Sequence, residues 1–595
     1  MTRILMIGRG LAGKLAALYF ARHMPEAQIT IVDPAKDGLP VVGESTVEVT
    51  VQFLKSLGLS EHLEEDHLHK YGLTYYFRLP PGKSDDAPEY IQHEAPGVIR
   101  LPSYNLNRHT FDAELDARIA SLVTSITGRV QRVNFPDDMN DTSVVEVKTA
   151  SGEYQTLEVD FVIDCSGRAR IVTKQLKLQK ESPYQRSSFW FRLINFDRSI
   201  LNGLKLAKVK HHCFDSYYVT HHFYGHGYWI WIIPMRSTTG EDMVSFGITY
   251  RPEMIGESRM DFEGLCAVLE RDHPQLKSLV TSGRRIEESR YYNYMYEAQQ
   301  YYDRSGKWFL LGDSGFTFDP ANSAGIAYLG HQIPQITSII KKRKKGSLTP
   351  CYVEALEMHL KAQLALQDQW SNWYEVMNDP VKMAWTLLVA NMGYFHFVVP
   401  NFMSGAHLNA GVARQVSKLI PRFKPGMQQP VYPFPKLLDA LAMTNDPDEL
   451  IRRAPALYER TVPFSYYRPD DIPRGKLISR YFRKRAMLRM KALSLLNVTT
   501  KPKYWILALG QSVLAAGDAL RSVMIGALPW IYEKEHAACA RKISGFEPPH
   551  AFLFPEHSEI GMENARLARR CQSMASKRKD KAELEHMPVV ENLAT

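Results

Sequence analysis

The sequence predicts an α/β protein that opens with a βαβ unit, with a mostly antiparallel sheet inserted later and a helical C-terminal region. Three observations carry that expectation. Residues 3–33 read as strand, glycine turn, helix and strand; residues 140–250 alternate apolar and polar positions; the chain after 346 holds longer apolar runs. With 595 residues the chain suits about three domains. Residues 1–175 with 290–345 are expected to form one discontinuous domain, 176–289 the inserted sheet, 346–565 the helical region and 566–595 a charged, mobile tail.

The first unit is the most specific. Ile4–Ile7 form an apolar strand, Gly8-Arg9-Gly10-Leu11-Ala12-Gly13 turns it, Lys14–His23 have helical periodicity, and Ile29–Val32 end in Asp33. Gly8 permits the tight turn, Gly10 lets backbone N–H groups approach a pyrophosphate, and Gly13 lets helix and strand pack closely. Leu11 and Ala12 open the helix whose N-terminus favours phosphate charge, and Asp33 is placed to accept from a ribose hydroxyl. Together these predict a dinucleotide site. Further short turns follow: Val42-Gly43-Glu44-Ser45-Thr46 before a helix, Asn107-Arg108 opening another, Asp164-Cys165-Ser166-Gly167 closing a strand, and Gly312-Asp313-Ser314-Gly315 closing a late one. Each alone is compatible with a plain tight connection. In this order they resemble the flavin monooxygenase superfamily, which implies FAD in a GR2-type Rossmann-like domain, with Glu44, Ser45, Thr46, Arg108, Asp164, Gly167, Gly312 and Asp313 at the cofactor.

The alternating runs Val144–Val147, Phe189–Leu193 and Val244–Thr249 predict the strands of an inserted sheet. Within it, Tyr228-Trp229-Ile230-Trp231-Ile232-Ile233-Pro234 puts Trp229 and Trp231 on one side of a strand that Pro234 is expected to end. By itself this is an ordinary hydrophobic strand. Phe318-Asp319-Pro320-Ala321-Asn322-Ser323-Ala324-Gly325 then follows the late Gly-Asp. The pair, Trp-x-Trp-x-Ile-Pro (Trp229–Pro234) and Phe-x-Pro-x-x-Ser-x-Gly, resembles the signature of the flavin-dependent halogenases over roughly residues 1–335.

That resemblance implies that Ser323, Ala324 and Gly325 bind chloride or bromide, that Gly325 and Ile326 lie against the flavin, and that reduced FAD (FADH2) and O2 oxidise the halide to hypohalous acid. Lys70, in Lys70-Tyr71-Gly72, resembles the family lysine that presents the oxidised halogen to an aromatic carbon, while Trp229 and Trp231 hold substrate away from the flavin. A lone lysine in a polar stretch is ordinarily solvated. Tryptophan halogenases carry Glu where this chain has Asn322, and Thr where it has Ala324. The departures point away from free tryptophan, toward a phenol-, resorcinol- or pyrrole-like ring, free or on an acyl carrier protein. They also leave open a flavin monooxygenase without halide use, or a non-catalytic pathway protein. A single dinucleotide unit implies a separate NAD(P)H-dependent flavin reductase.

Composition adds less. Lys and Arg total 73 against 64 Asp and Glu, a basic excess too small to demand nucleic acid. The cysteines Cys165, Cys213, Cys266, Cys351, Cys539 and Cys571 are scattered, so neither a disulfide framework nor a metal site is expected, which fits a reducing cytoplasm. The N-terminal apolar run passes into a glycine turn and reads as a strand rather than a leader. Residues 384–399 and 504–532 are apolar but interrupted, so no membrane span is expected. Arg474 to Lys503 lacks acidic residues and interleaves basic with apolar positions. That pattern suits docking to an acidic carrier or peripheral contact with anionic lipid, or a solvated helix face. Oligomeric state is left open.

Overall fold

Alternate faces of one strand, Tyr228–Arg236, feed the two hydrophobic cores of the chain. Trp229, Trp231, Ile233 and Met235 enter the larger core, shared with the N-terminal sheet. Tyr228, Ile230 and Ile232 enter the smaller, beneath helices Phe262–Asp272 and Pro274–Ser282. This is the period-two geometry of a strand buried on both sides. The computed structural model describes residues 2–419 apart from short stretches (36–40, 81–86, 94–102, 208–216 and isolated positions), scattered positions between 479 and 493, and 504–527.

The first sheet runs Trp308–Leu310, Phe161–Asp164, Thr2–Ile7, Ala27–Asp33, Thr124–Asn134, Ser143–Thr149, Tyr154–Val159. The first five are parallel neighbours and the last two complete an antiparallel meander. Val144–Val147 therefore belongs to this sheet, not to the inserted one. Helix Leu11–His23 follows the glycine turn, and its approach is as close as expected: a Cβ at Gly13 would meet the Gly8 carbonyl oxygen at 2.3 Å.

The second sheet runs Arg284–Tyr291, Ser187–Ile194, Asp242–Tyr250, Tyr228–Arg236, Thr220–Gly225, Leu73–Arg78, Tyr90–His93. It draws two strands from residues 73–93 as well as those from 187–291. The pairing of Leu73–Arg78 with Thr220–Gly225 is parallel; the rest are antiparallel. Pro234 does not end its strand. Pairing with Asp242–Tyr250 continues to Arg236, and Pro234 falls just past Ile232, the last residue paired with Thr220–Gly225. A residue without an N–H is tolerated where one neighbouring strand has stopped.

C-terminal to this frame, Gly325–Lys344, Pro350–Ser371 and Pro380–Gly393 are helical, followed by a π-turn at Tyr394–Val398. Helix Tyr504–Ala527 places Asp518 between Arg485 and Arg489, each bonding it from a buried position. Two guanidinium groups from the basic stretch are thus used internally. The same helix exposes Trp505, Ile506, Leu509, Val513 and Leu520. Among the described residues no helix is long and apolar enough to cross a membrane, and no group of three or more His, Cys, Asp or Glu is placed to hold a metal. Cys165, Cys266 and Cys351 are free thiols. Cys213, Cys539, Cys571 and the tail from 566 lie outside the described residues.

Gly247 sits opposite Trp231 in the adjacent strand, where an added Cβ would meet the indole at 2.2 Å and Trp190 Cβ at 2.6 Å. Gly247→Ala is expected to destabilise the protein by about 1–3 kcal/mol through overpacking. Thermal unfolding would show it as a lowered Tm; an unchanged Tm would mean that the indole has room to move.

Candidate active site

The site begins at two chain reversals. The short strand Leu68–Lys70 pairs with Ser103–Asn105, and Gly72, at φ +118°, then turns the chain into Leu73–Arg78 of the second sheet. Only glycine adopts that angle readily, which explains a Lys-x-Gly spacing. The second reversal is the loop after Phe316–Thr317, where Pro320–Asn322 form one 3-10 turn and Ser323 takes the left-handed conformation at φ +55°. A serine held there is strained and must be fixed by its surroundings.

Ser45 does the fixing. Ser323 Oγ donates to Ser45 Oγ at 2.9 Å, and Lys70 Nζ donates to the same oxygen at 2.9 Å. With two donors arriving, the Ser45 hydroxyl gives its own proton to Thr220 Oγ1 at 2.8 Å, and Thr220 donates to Asn105 Oδ1 at 3.3 Å. Lys70 also bonds the Thr46 carbonyl oxygen. The three segments that carry Ser45, Lys70 and Ser323 are thereby joined at one atom. Lys70 is buried, and removal from water pulls its pKa down to about 7 despite the nearby Glu48 carboxylate. His222, buried beside Lys70, is held down to about 3, first by burial and then by the lysine, and is neutral near pH 7.

Trp229 and Trp231 present a tilted pair of rings with centroids 5.5 Å apart. Each indole N–H is anchored, Trp231 to Ser245 Oγ and Trp229 to the Tyr374 hydroxyl, both at 3.1 Å. Tyr374 in turn donates to Asp319 Oδ2 at 2.5 Å, and Asp319 forms a fully buried ion pair with Arg186 at 2.7 Å. The late loop and the aromatic wall are thus tied through Tyr374, which lies beyond the motifs that suggested the site. Thr220, Asn105, Arg186 and Tyr374 were not found from sequence because nothing local marks them; His222 is equally silent.

The predicted cofactor residues divide. Gly10 and Gly325 are exposed at the starts of helices Leu11–His23 and Gly325–Lys344, neither helix carries an acidic residue in its first turn, and a Cβ at either glycine would meet nothing within 4 Å. Ile326 is buried just inside the second helix. Asp313 is exposed, with Arg168 and Arg170 nearby, and Gly312 approaches Ala12 beside the half-buried Leu11. Asp33 accepts from the N–H groups of Arg9 and Ala35, each at 2.8 Å, bracing the glycine turn. This open cradle with unopposed helix N-termini fits the diphosphate of FAD.

Other predicted contacts face inward. Asp164 accepts from Ser166 N at 2.9 Å and Val172 N at 2.8 Å and holds the turn at Gly167 rather than facing the cradle. Thr46 exchanges bonds with Tyr104, 2.7 Å to its carbonyl oxygen and 2.8 Å from its N–H, so its side chain is structural. Arg108 forks onto Asp112 at 3.0 and 3.1 Å and bonds Val42 O. Glu44, buried, accepts from Gly43 N at 2.9 Å and lies 3.7 Å from Arg192. Ser45 serves Lys70 and Ser323, as above.

A sequence model of the tryptophan halogenase family matches residues 3–77 and 88–361. The flavin-dependent halogenase chlA of Dictyostelium discoideum is 26% identical over 436 residues, covering 68% of this chain and 71% of that protein. A tryptophan 2-halogenase of Chondromyces crocatus is 23% identical over 442 residues, covering 70% and 76%. In fold, the halogenase PltM in complex with phloroglucinol and FAD superposes with a TM-score of 0.55 at 17% identity, over 81% of this chain and 96% of that one.

Two measurements test the site as built. Asp319→Ala strands the buried Arg186 guanidinium and is expected to cost about 3–5 kcal/mol in denaturant unfolding; a cost below about 1 kcal/mol would mean the pair is dispensable. For Lys70, the folded state disfavours the ammonium that the unfolded state carries. Stability of the wild type relative to Lys70→Met should therefore rise with pH from about 7 toward 10.5. A flat difference across that window would show that Lys70 is not depressed.

Proposed function

Because this chain belongs to the tryptophan halogenase family of flavin-dependent enzymes, we propose that it uses Lys70 to deliver hypohalous acid to an electron-rich hydroxylated aromatic ring. FAD-dependent halogenase activity comes with the family. The observation that carries the finer reading is the hydrogen-bonded chain Lys70–Ser45–Ser323, which couples the lysine to the halide loop.

Bound and reduced, FAD supplies with O2 the oxidation of halide to hypohalous acid. The protein's own residues do the rest. Backbone N–H groups at Ala324 and Gly325, at the start of an uncapped helix, favour an anion, and Ser323 offers a hydroxyl beside them. Trp229 and Trp231, anchored at both indole nitrogens, form a rigid wall that keeps a ring from the flavin side. Lys70, with a pKa near neutrality, can hold the oxidant by donating a hydrogen bond from its ammonium or by forming a haloamine through its free amine. On its far side a pocket lined by Leu73, Tyr75, Asn322, Tyr394 and Phe395 suits a flat ring. The phloroglucinol bound by PltM is such a ring and supports a phenolic substrate, free or carrier-borne. A separate flavin reductase follows from the family. The exposed apolar face of Tyr504–Ala527 supports peripheral contact with a membrane or carrier.

The test is turnover of phloroglucinol with FAD, NADH, a flavin reductase and bromide or chloride, read by mass spectrometry. A halogenated product that requires halide is expected, and Lys70→Ala should lower it about 100-fold or more while halide oxidation persists. A hydroxylated product formed equally well without halide would identify a monooxygenase instead.

A further inference from the structure

Lys70 does not face its pocket alone. Glu48 opens helix Glu48–Ser56, a position where a glutamate ordinarily points to water and complements the helix dipole. Here it is only 6% exposed and lines the same pocket as Lys70, Asn322, Tyr75 and Tyr394. Its carboxylate interacts with the lysine and is bonded by the Tyr394 hydroxyl, which itself accepts Val49 N–H at 3.3 Å. The rest of the lining is apolar, hydroxyl- or amide-bearing, and no other carboxylate appears among the residues of this pocket. A buried carboxylate is costly unless it has partners, and one at a cavity wall can be completed by a ligand's donor.

We propose that Glu48 is a catalytic base that accepts the phenolic proton of the substrate while Lys70 presents the halogen. This rests on the halogenase reading and names the group that selects a hydroxylated ring. The bookkeeping of atoms closes with the residues present. The ring carbon attacks the halogen of hypohalous acid, forming C–X as X–O breaks; the phenolic proton passes to Glu48, and the departing hydroxide takes a proton from the Lys70 ammonium to leave as water. The resulting dienone then loses its ring proton to the Lys70 amine and regains a phenolic proton from Glu48. Both side chains return to their starting states. Burial raises the Glu48 pKa against the pull of Lys70, which makes it a better proton acceptor than a solvated glutamate. The other titratable groups around the pair are Tyr75, Tyr394 and the histidines His69 and His222, the two histidines held neutral, with pKa values of about 3, chiefly by burial.

The experiment uses full-length, FAD-loaded Glu48→Gln and Glu48→Asp with paired ligands: phloroglucinol, and 1,3,5-trimethoxybenzene, which has no phenolic proton. By calorimetry on the oxidised protein, Glu48→Gln is expected to weaken phloroglucinol about tenfold and to leave the ether unchanged. In turnover, it should lower kcat for phloroglucinol about 100-fold with halide oxidation intact, and Glu48→Asp should recover part of that loss. Equal effects on both ligands, or none on phloroglucinol, would overturn the proposal. The binding arm decides this even if no halogenated product forms, so failure of the halogenase reading and failure of the Glu48 role are separable.

Discussion

The site depends on a single hydroxyl. Ser45 Oγ accepts from Lys70 and from Ser323, and donates to Thr220. Four segments of chain far apart in sequence converge on it, and its geometry holds Ser323 in a left-handed conformation that a serine does not adopt freely. The hydrogen bonds at the hub are part-buried, while Lys70 itself is buried, and its removal from water brings it near neutrality. Packing and reactivity therefore share a cause. The packing that buries Lys70 beside the hub also prepares the amine.

Around that hub the architecture separates two tasks. The N-terminal sheet offers an open cradle edged by Gly10, Asp313 and Gly325, while the second sheet supplies a stiff aromatic face. Strand Tyr228–Arg236 serves both, since one side packs toward the cradle and the other toward its own helices. The Asp319–Tyr374–Trp229 bonds then lock the late loop to the wall. Tyr394 and Phe395, which line the pocket, and Tyr374, which anchors Trp229, all come from beyond residue 361, where the match to the family ends.

Much was legible in the residues. Strand, glycine turn, helix and acidic terminus fixed the first unit because each step is a local steric or electrostatic demand, and the same holds for Gly72 after Lys70. That Trp229 and Trp231 share one side of their strand was readable from period two alone. What misled was also local: Pro234 read as a terminator although only one of its neighbouring strands had stopped, and nothing along the chain showed that the Asp164 side chain braces its own turn or that Thr46 bonds the distant Tyr104.

The sequence by itself determined the family and the opening strand–helix–strand unit, and singled out Lys70, Ser323 and the two indoles as candidates, since these rest on residue type at fixed spacing. Only the tertiary structure decided that Ser45 joins them, that Glu48 faces inward beside Lys70, and that Tyr374 and Tyr394 close the site. Those outcomes depend on which side chains meet across sheets and helices hundreds of residues apart. No pattern along the chain encodes such a meeting, because burial and hydrogen-bond partnership arise only when the cores have packed.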